Sequence, residues 1–332
     1  SDPFWLNPIA TRAFEGANCF VSGGAGFIGS NLTAALLHAG ARVTVFDNLA
    51  TGRREHLSEN PHLRLFEEDI VSSPLVEAEV SSADYIFHLA AQVGNVKSIE
   101  EPISDASINI LGTLRLLKFA RNSSLKRFIY SSSSAIFGEA DRLPIDEAHR
   151  TVPASFYALS KLTGERYALL AHALWKVPAL CLRYFNVYGL PMEDNEYTGV
   201  ISIFAKALSA GTQLTIYGDG RQTRDFIYVK DVVQALMRSA LRGTAGEVYN
   251  IGTGKATDVT SLAGVIADIL GVRPDISFRP SRAGEVRNSV ADIRKAVHKL
   301  DYQPQYWITD GIGETVDHGH QGSIRSIDFP GA

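Results

Sequence analysis

The sequence predicts an α/β fold: a doubly wound parallel sheet, followed by a smaller α/β lobe at the C-terminal end. Three observations point there. Short apolar runs alternate with amphipathic stretches from Ala17 to about Val187, and strands that alternate with helices build a parallel sheet covered on both faces. A glycine-rich turn separates the first apolar run from the first helical stretch. After Tyr188 the texture changes: Pro, Asp, Asn and Gly crowd Leu190–Gly199, which reads as a loop, and later segments are shorter.

In chain order, Cys19–Ser22, Arg42–Asp47, Leu63–Phe66, Tyr85–Ala90, Arg127–Ser131 and Ala179–Tyr184 read as strands. Between them the apolar residues fall at helical spacing, as in Leu32, Leu36 and Leu37, or Leu114, Leu117 and Phe119. The expected division is a sheet domain over 16–186 and a lobe over 187–332. Phe226–Val229 and Val248–Ile251 are two later segments whose pattern leaves open a return to the first sheet. Gly218-Asp219-Gly220 and Gly252-Thr253-Gly254 mark turns.

Composition narrows the class. The chain has 332 residues, room for one large domain or two unequal ones. Hydrophobic residues make up 45% and charged ones 20%, a globular balance that excludes disorder for most of the chain. Only two cysteines occur, Cys19 and Cys181, both in apolar runs, as expected of buried thiols in a reducing compartment. With 36 acidic against 32 basic residues the net charge is −4, which argues against a nucleic-acid partner. No apolar stretch approaches the roughly 18 residues that span a bilayer. The opening Ser1-Asp2-Pro3-Phe4-Trp5 lacks the basic start of a secretory leader. A cytoplasmic protein of enzyme-like size is expected.

Gly23-Gly24-Ala25-Gly26-Phe27-Ile28-Gly29 follows the first strand and opens the first helix. Gly23, Gly26 and Gly29 suit a tight turn, close backbone approach to a pyrophosphate, and close helix–strand packing. The N–H groups around Phe27 and Ile28 would face the anion. Asp47, ending the second strand, suits an adenosine ribose and repels a 2′-phosphate, which favours NAD over NADP and makes the first domain Rossmann-type. Arg53 and Arg54 keep an NADP reading open. Asp69-Ile70 after the third strand is a candidate adenine contact.

Tyr157 and Lys161 stand four residues apart, on one face of a helix. An ammonium near a phenol favours the phenolate and lowers its pKa, which suits proton transfer from a sugar hydroxyl. Upstream, Ser131-Ser132-Ser133-Ser134 places hydroxyls at the end of a strand. Glycine turn, strand-end serine and Tyr/Lys pair come in that order.

With these motifs the chain resembles the extended short-chain dehydrogenase/reductase superfamily. Within it, the chain is similar to the sugar-nucleotide epimerase/dehydratase family, and most to the UDP-hexose 4-epimerases. The resemblance runs from about Ala17 to Tyr302. It includes Asp47-Asn48, His88-Leu89-Ala90-Ala91, Asn109 with Gly112-Thr113, Ser131–Gly138, Arg183-Tyr184-Phe185-Asn186, Arg224-Asp225-Phe226 and Arg282-Ala283-Gly284-Glu285. It implies tightly bound NAD, held also by Asn48, Asp69, Ile70, Leu89, Ala90, Ala91, Asn109, Tyr157 and Lys161. Counting back from Phe137-Gly138, it puts the catalytic serine at Ser133. Tyr157, assisted by Lys161, would take the proton of the sugar O4 through a transient 4-keto intermediate, and NAD would be regenerated in each cycle. A homodimer built from helices near Ala106–Asn122 and Phe156–Leu174 is also implied.

The C-terminal lobe is expected to hold the nucleotide sugar. The resemblance assigns Arg224 and Arg282 to the diphosphate, where guanidinium forks suit phosphate. Asn186 is assigned to the diphosphate as well, Tyr217 to the base and Glu285 to the ribose. Ser133 and Ser134 face the sugar, and Ser289 is a small gate at the C2 substituent that admits an N-acetyl group. Ser134-Ala135 replaces the titratable pair that related dehydratases carry, and the decarboxylases' Glu is likewise missing, which favours plain 4-epimerisation. Gly189-Leu190-Pro191-Met192-Glu193 offers an acid where a glucuronate enzyme wants a cation. A dehydratase, a decarboxylase, a glucuronate epimerase and a non-catalytic nucleotide-sugar-binding module stay open as alternatives.

Overall fold

A computed structural model describes residues 12–191, 199–281 and 286–320, with the backbone alone over 316–320. All six expected strands form: β1 (Asn18–Ser22), β2 (Arg42–Phe46), β3 (Leu63–Phe66), β4 (Tyr85–His88), β5 (Arg127–Ser133) and β6 (Ala179–Tyr184). With Val248–Ile251 they make one seven-stranded sheet in the order Val248–Ile251, β6, β5, β4, β1, β2, β3. Every neighbouring pair is parallel. The strand order reverses between β1 and β4, and ligands of such sheets bind in the crevice that opens there at the carboxyl ends.

β1 starts one residue earlier than the sequence pattern and β2 stops one residue sooner, at Phe46, while two strand ends differ by two residues. β5 runs two residues further than expected, because Ser132 and Ser133 continue the ladder opposite Arg183 and Tyr184. β4 stops at His88, since beyond Leu89 the next N–H, that of Ala90, turns to the Ser22 hydroxyl. Of the two later segments, Val248–Ile251 pairs with β6, whereas Phe226–Tyr228 pairs instead with Asn186–Tyr188 in a separate two-stranded sheet. The chain leaves the main sheet at Asn186, whose N–H goes to the Asp225 carbonyl.

Alternation along the strands divides the core. Cys19, Val21, Val43, Val45, Ile129 and Leu182 face one layer, with Leu32 and Leu36 of the helix Phe27–His38 and Val232 and Leu236 of the helix Val229–Arg242. Phe20, Phe46, Phe128, Tyr130 and Cys181 face the other, with Val76, Leu116, Leu117, Ala168 and Ala171. Every residue of β6 is buried, as a strand covered on both faces should be. A smaller α/β region follows, in which Leu214–Tyr217 pairs parallel with Ile276–Arg279 beside the helices Val200–Ser209 and Val259–Leu270. Among the described residues no helix is long and apolar enough to cross a membrane.

Candidate active site

At the end of β1 the three glycines have different reasons. Gly23 adopts φ +72°, and a Cβ there would stand 2.7 Å from the Ala90 nitrogen. A Cβ at Gly29 would stand 2.0 Å from the Gly23 carbonyl oxygen, so the turn and the helix close on each other. A Cβ at Gly26 would meet only the Gly23 oxygen, at 3.3 Å. The protein's own packing therefore requires Gly23 and Gly29, while Gly26 keeps bare the space in front of the helix. That helix has no side-chain cap and no acidic residue in its first turn, so its N–H groups and dipole suit a pyrophosphate.

Asp47 is 8% exposed, and its carboxylate accepts from the Ala25 and Leu49 N–H groups, both at 2.9 Å. A side chain at Gly52 would crowd both carboxylate oxygens at 2.9 Å. Asp47 is thus aimed by the turn it serves. Asn48 donates to Asp69 at 3.2 Å, and Asp69 accepts from the Val71 N–H at 2.7 Å. Ile70 is buried, with its carbonyl accepting from Arg115 at 3.0 Å. Arg54 pairs with Glu67. These residues fit an NAD with a free ribose 2′-hydroxyl.

Leu89, Ala90 and Ala91 leave β4 partly exposed beside the turn. Behind them runs a buried chain of hydrogen bonds. Thr113 donates to the Asn109 carbonyl at 2.7 Å, so its hydroxyl accepts from His88 Nε2 at 2.8 Å, and His88 Nδ1 accepts from Ser22 at 2.7 Å. Burial pushes the His88 pKa down from 6.5 to about 3, which keeps the ring neutral. Asn109 lies in a π-helical turn, Ser107–Gly112, a feature common at functional sites. Its amide nitrogen contacts the Gln92 carbonyl, Asp105 and Ser160, each at 3.0 Å.

The helix Phe156–Trp175 starts at Ser155, whose hydroxyl accepts from the Ala158 N–H at 3.1 Å as an N-cap. That cap sets Tyr157 in the first turn and Lys161 one turn on. Of the serines on β5, Ser131 meets the Tyr184 hydroxyl at 3.1 Å and Ser132 donates to Glu165 at 2.8 Å. Ser133 accepts from the Ala135 N–H at 3.2 Å, and its hydroxyl faces the Tyr157 phenol, whose pKa it lowers. Ser134 opens the 3-10 turn that follows, half-buried. Lys161 is 4% exposed, and burial lowers its pKa to about 8 against the opposing charges of Asp105 and Glu165.

The expectation of a lowered phenol pKa needs correction for the chain by itself. Burial pushes Tyr157 up, Asp105 adds to this, and the nearby Ser133 hydroxyl only partly offsets them.

In the C-terminal part the structure gathers Arg224 and Ser289 along one backbone seam. Thr223 N–H donates to the Arg287 carbonyl at 3.0 Å, and Ser289 N–H to the Thr223 carbonyl at 3.1 Å. Arg224 Nη1 donates to the Thr223 carbonyl at 2.9 Å, and Ser289 is 8% exposed. Tyr217 ends its strand, exposed, its carbonyl accepting from Gln222 at 2.8 Å. Asn186, the first residue of the short strand that follows β6, is exposed. The seam is tied to the loop after Ser133 through Glu139, which accepts the Arg287 N–H at 2.7 Å. Arg282 and Glu285 lie outside the described residues, as do Met192 and Glu193.

Sequence reasoning missed several supporting groups. Asp225, fully buried, accepts from Thr253, Gly254 and Ala291 and so pins three segments of this region. Glu165 escaped notice although it stands one turn beyond Lys161, a spacing that marks it. No local pattern marks Asp105 or Tyr130.

A parallel sheet with a glycine-rich turn at its switch point and a Ser–Tyr–Lys cluster beside it defines a dinucleotide-dependent enzyme of the short-chain type. The profile of the NAD dependent epimerase/dehydratase family matches residues 19–252, and the chain belongs to that family. It is 36% identical over 304 residues to a UDP-glucose 4-epimerase of Mycolicibacterium smegmatis, covering 90% of this chain and 96% of that one. Among solved structures, a UDP-N-acetylglucosamine 4-epimerase from Methanobrevibacter ruminantium in complex with UDP-N-acetylmuramic acid superposes with a TM-score of 0.89. The two share 34% identity over 93% of this chain and 100% of that one. The Thermus thermophilus UDP-glucose 4-epimerase in complex with NAD gives 0.84, at 32% identity, over 92% and 100%.

Proposed function

We propose that this protein is an NAD-dependent 4-epimerase acting on a UDP-hexose. The observation that carries the reading is Tyr157 and Lys161 one turn apart on one buried helix, with Ser133 at the end of β5 facing the phenol. Ser133 holds the sugar O4, and Tyr157 takes its proton and later returns it. The Lys161 charge favours the phenolate once substrate and cofactor are in place. NAD, when bound, supplies the acceptor and donor for the C4 hydrogen, so none is consumed overall. Phe27 and Ile28 offer their N–H groups to the pyrophosphate across the space that Gly26 leaves bare, Asp47 and Asn48 hold the adenosine ribose, and Asp69 and Ile70 flank the adenine. Leu89, Ala90 and Ala91 line the nicotinamide side, and Asn109 fixes the Gln92 and Ser160 segments around it.

Arg224, Arg282 and Asn186 bind the diphosphate, Tyr217 lies by the base and Glu285 by the ribose. Ser134-Ala135 carries no acid or base for eliminating water, which favours epimerisation over dehydration. Ser289, small and buried beside the Arg224 strand, admits an N-acetyl group at C2, so UDP-GlcNAc and UDP-GalNAc are substrates alongside UDP-Glc and UDP-Gal. The test is proton NMR of the protein, without added NAD, against UDP-Glc, UDP-GlcNAc, UDP-GlcA and dTDP-Glc. Epimer signals without net reduction are expected. A 6-deoxy-4-keto or decarboxylated product would overturn the reading.

The protein works in the cytoplasm as a homodimer. Support for the dimer is an apolar surface on adjoining helices, with Val96, Ile99, Ile103 and Leu111 near Phe156, Leu159, Leu170 and Leu174, all exposed. Light scattering that gives a monomer mass would refute it.

A further inference from the structure

The helix Phe156–Trp175 carries Gly164 in its interior, where Ala would favour the helix by roughly a factor of five in equilibrium. The space is taken by Tyr130 of β5. A Cβ at 164 would stand 2.2 Å from the Tyr130 hydroxyl oxygen and 2.7 Å from the ring carbon that bears it. The hydroxyl donates to the Lys161 carbonyl at 3.2 Å. The Lys161 ammonium stands 4.7 Å from the centre of the same ring. Both side chains are sealed from solvent, Tyr130 at 1% and Lys161 at 4% exposed.

We propose that Tyr130 is a positioning residue whose ring is the platform that holds the Lys161 ammonium charged and in place. The proposal rests on the reading of Lys161 as part of the reaction. A buried ammonium needs compensation for its lost water, and an aromatic face within about 6 Å supplies it.

The other groups facing Lys161 are already engaged. Asp105, from the helix Pro102–Ala106, is shared with Asn109 and Ser160. Glu165, on the same helix as Lys161, is bound by Arg183 and Ser132. Burial keeps the Cys181 thiol of β6 protonated, and His88 of β4 is neutral. Tyr130 itself stays a neutral phenol, its pKa pushed well up by burial.

The test replaces Tyr130 by Phe and by ring-fluorinated phenylalanines, which keep the volume while draining negative potential from the ring face. Lysine side chains labelled with carbon-13 at Cε report the titration, the Lys161 resonance being identified by its loss in Lys161→Arg. Tyr130→Phe should titrate close to wild type, and successive fluorines should lower the midpoint, by about one unit in total. A midpoint indifferent to fluorination overturns the proposal. Turnover measured on the same variants separates the two readings. If Lys161 works as a cation, the alkaline fall in rate moves to lower pH together with the NMR midpoint. A rate profile that ignores a shifted midpoint leaves the role of Tyr130 standing and removes Lys161 from the proposed reaction.

Discussion

Glu165 and Arg183 form a buried two-pronged ion pair behind the Tyr157 helix. Arg183 Nη2 donates to Glu165 Oε1 at 2.7 Å and Nε to Oε2 at 2.9 Å, with side chains 4% and 0% exposed for Arg183 and Glu165. Oε2 also accepts from Ser132, the neighbour of Ser133, and Arg183 Nη1 donates to the Glu147 carbonyl at 2.9 Å. One pair thus locks the helix, the end of β5 and β6 together. Glu165→Ala leaves a guanidinium buried without its partner and should destabilise by about 3–5 kcal/mol. Arg142→Ala, which breaks an exposed pair with Asp146, should cost under about 1 kcal/mol. Urea unfolding of both variants checks the contrast.

The glycine turn predicts a split between fold and cofactor. Gly26→Ala sets a methyl group 3.3 Å from the Gly23 oxygen, which a shift of a few tenths of an ångström relieves, so the melting temperature should stay within about 2 °C while retained NAD falls sharply. Gly29→Ala drives a methyl into the Gly23 carbonyl and should lower both. Calorimetry and the NAD released on denaturation measure the two effects.

Tyr157→Phe removes the hydroxyl while keeping the ring. Turnover should fall by about 10²–10⁴-fold with bound NAD unchanged, since the turn and Asp47 are untouched. Turnover near wild type would remove Tyr157 from the reaction.

His88 contributes a pH dependence with a definite sign. Its pKa is 6.5 when unperturbed and about 3 when buried, so below 6.5 the unfolded chain binds a proton that the native ring refuses. Its contribution to stability is complete above 6.5 and is lost as pH falls toward 3. Thermal melts between neutral and mildly acidic pH should show this slope, and it should be shallower in His88→Asn. An unchanged slope would show that other groups carry the acid limb.

Ser289→Tyr should shift substrate preference. A ring beside the Arg224 strand crowds an N-acetyl group and spares a hydroxyl, so kcat/KM for UDP-GlcNAc relative to UDP-Glc should drop about tenfold or more. An unchanged ratio would mean that the C2 group is recognised elsewhere.

Much of this protein is settled by sequence alone, for local reasons. Short apolar runs and period-3.6 leucines place six strands and the helices between them, because burial in a covered sheet or along a helix stripe follows from local composition and spacing. Gly23–Gly29, Asp47 and the Tyr157/Lys161 pair could be located because their geometry is confined to a few consecutive residues. What only the tertiary structure decides depends on contacts between distant segments. Which strand-end serine meets Tyr157 is set by the partners that claim Ser131 and Ser132, namely Tyr184 and Glu165. The return of Val248–Ile251 to β6, while Phe226–Tyr228 pairs elsewhere, is set by where Asp225 anchors the chain. The charge state of Lys161 likewise depends on burial and on Tyr130, Asp105 and Glu165, which come from three different elements. Electrostatics acts through space, and no spacing along the chain encodes it.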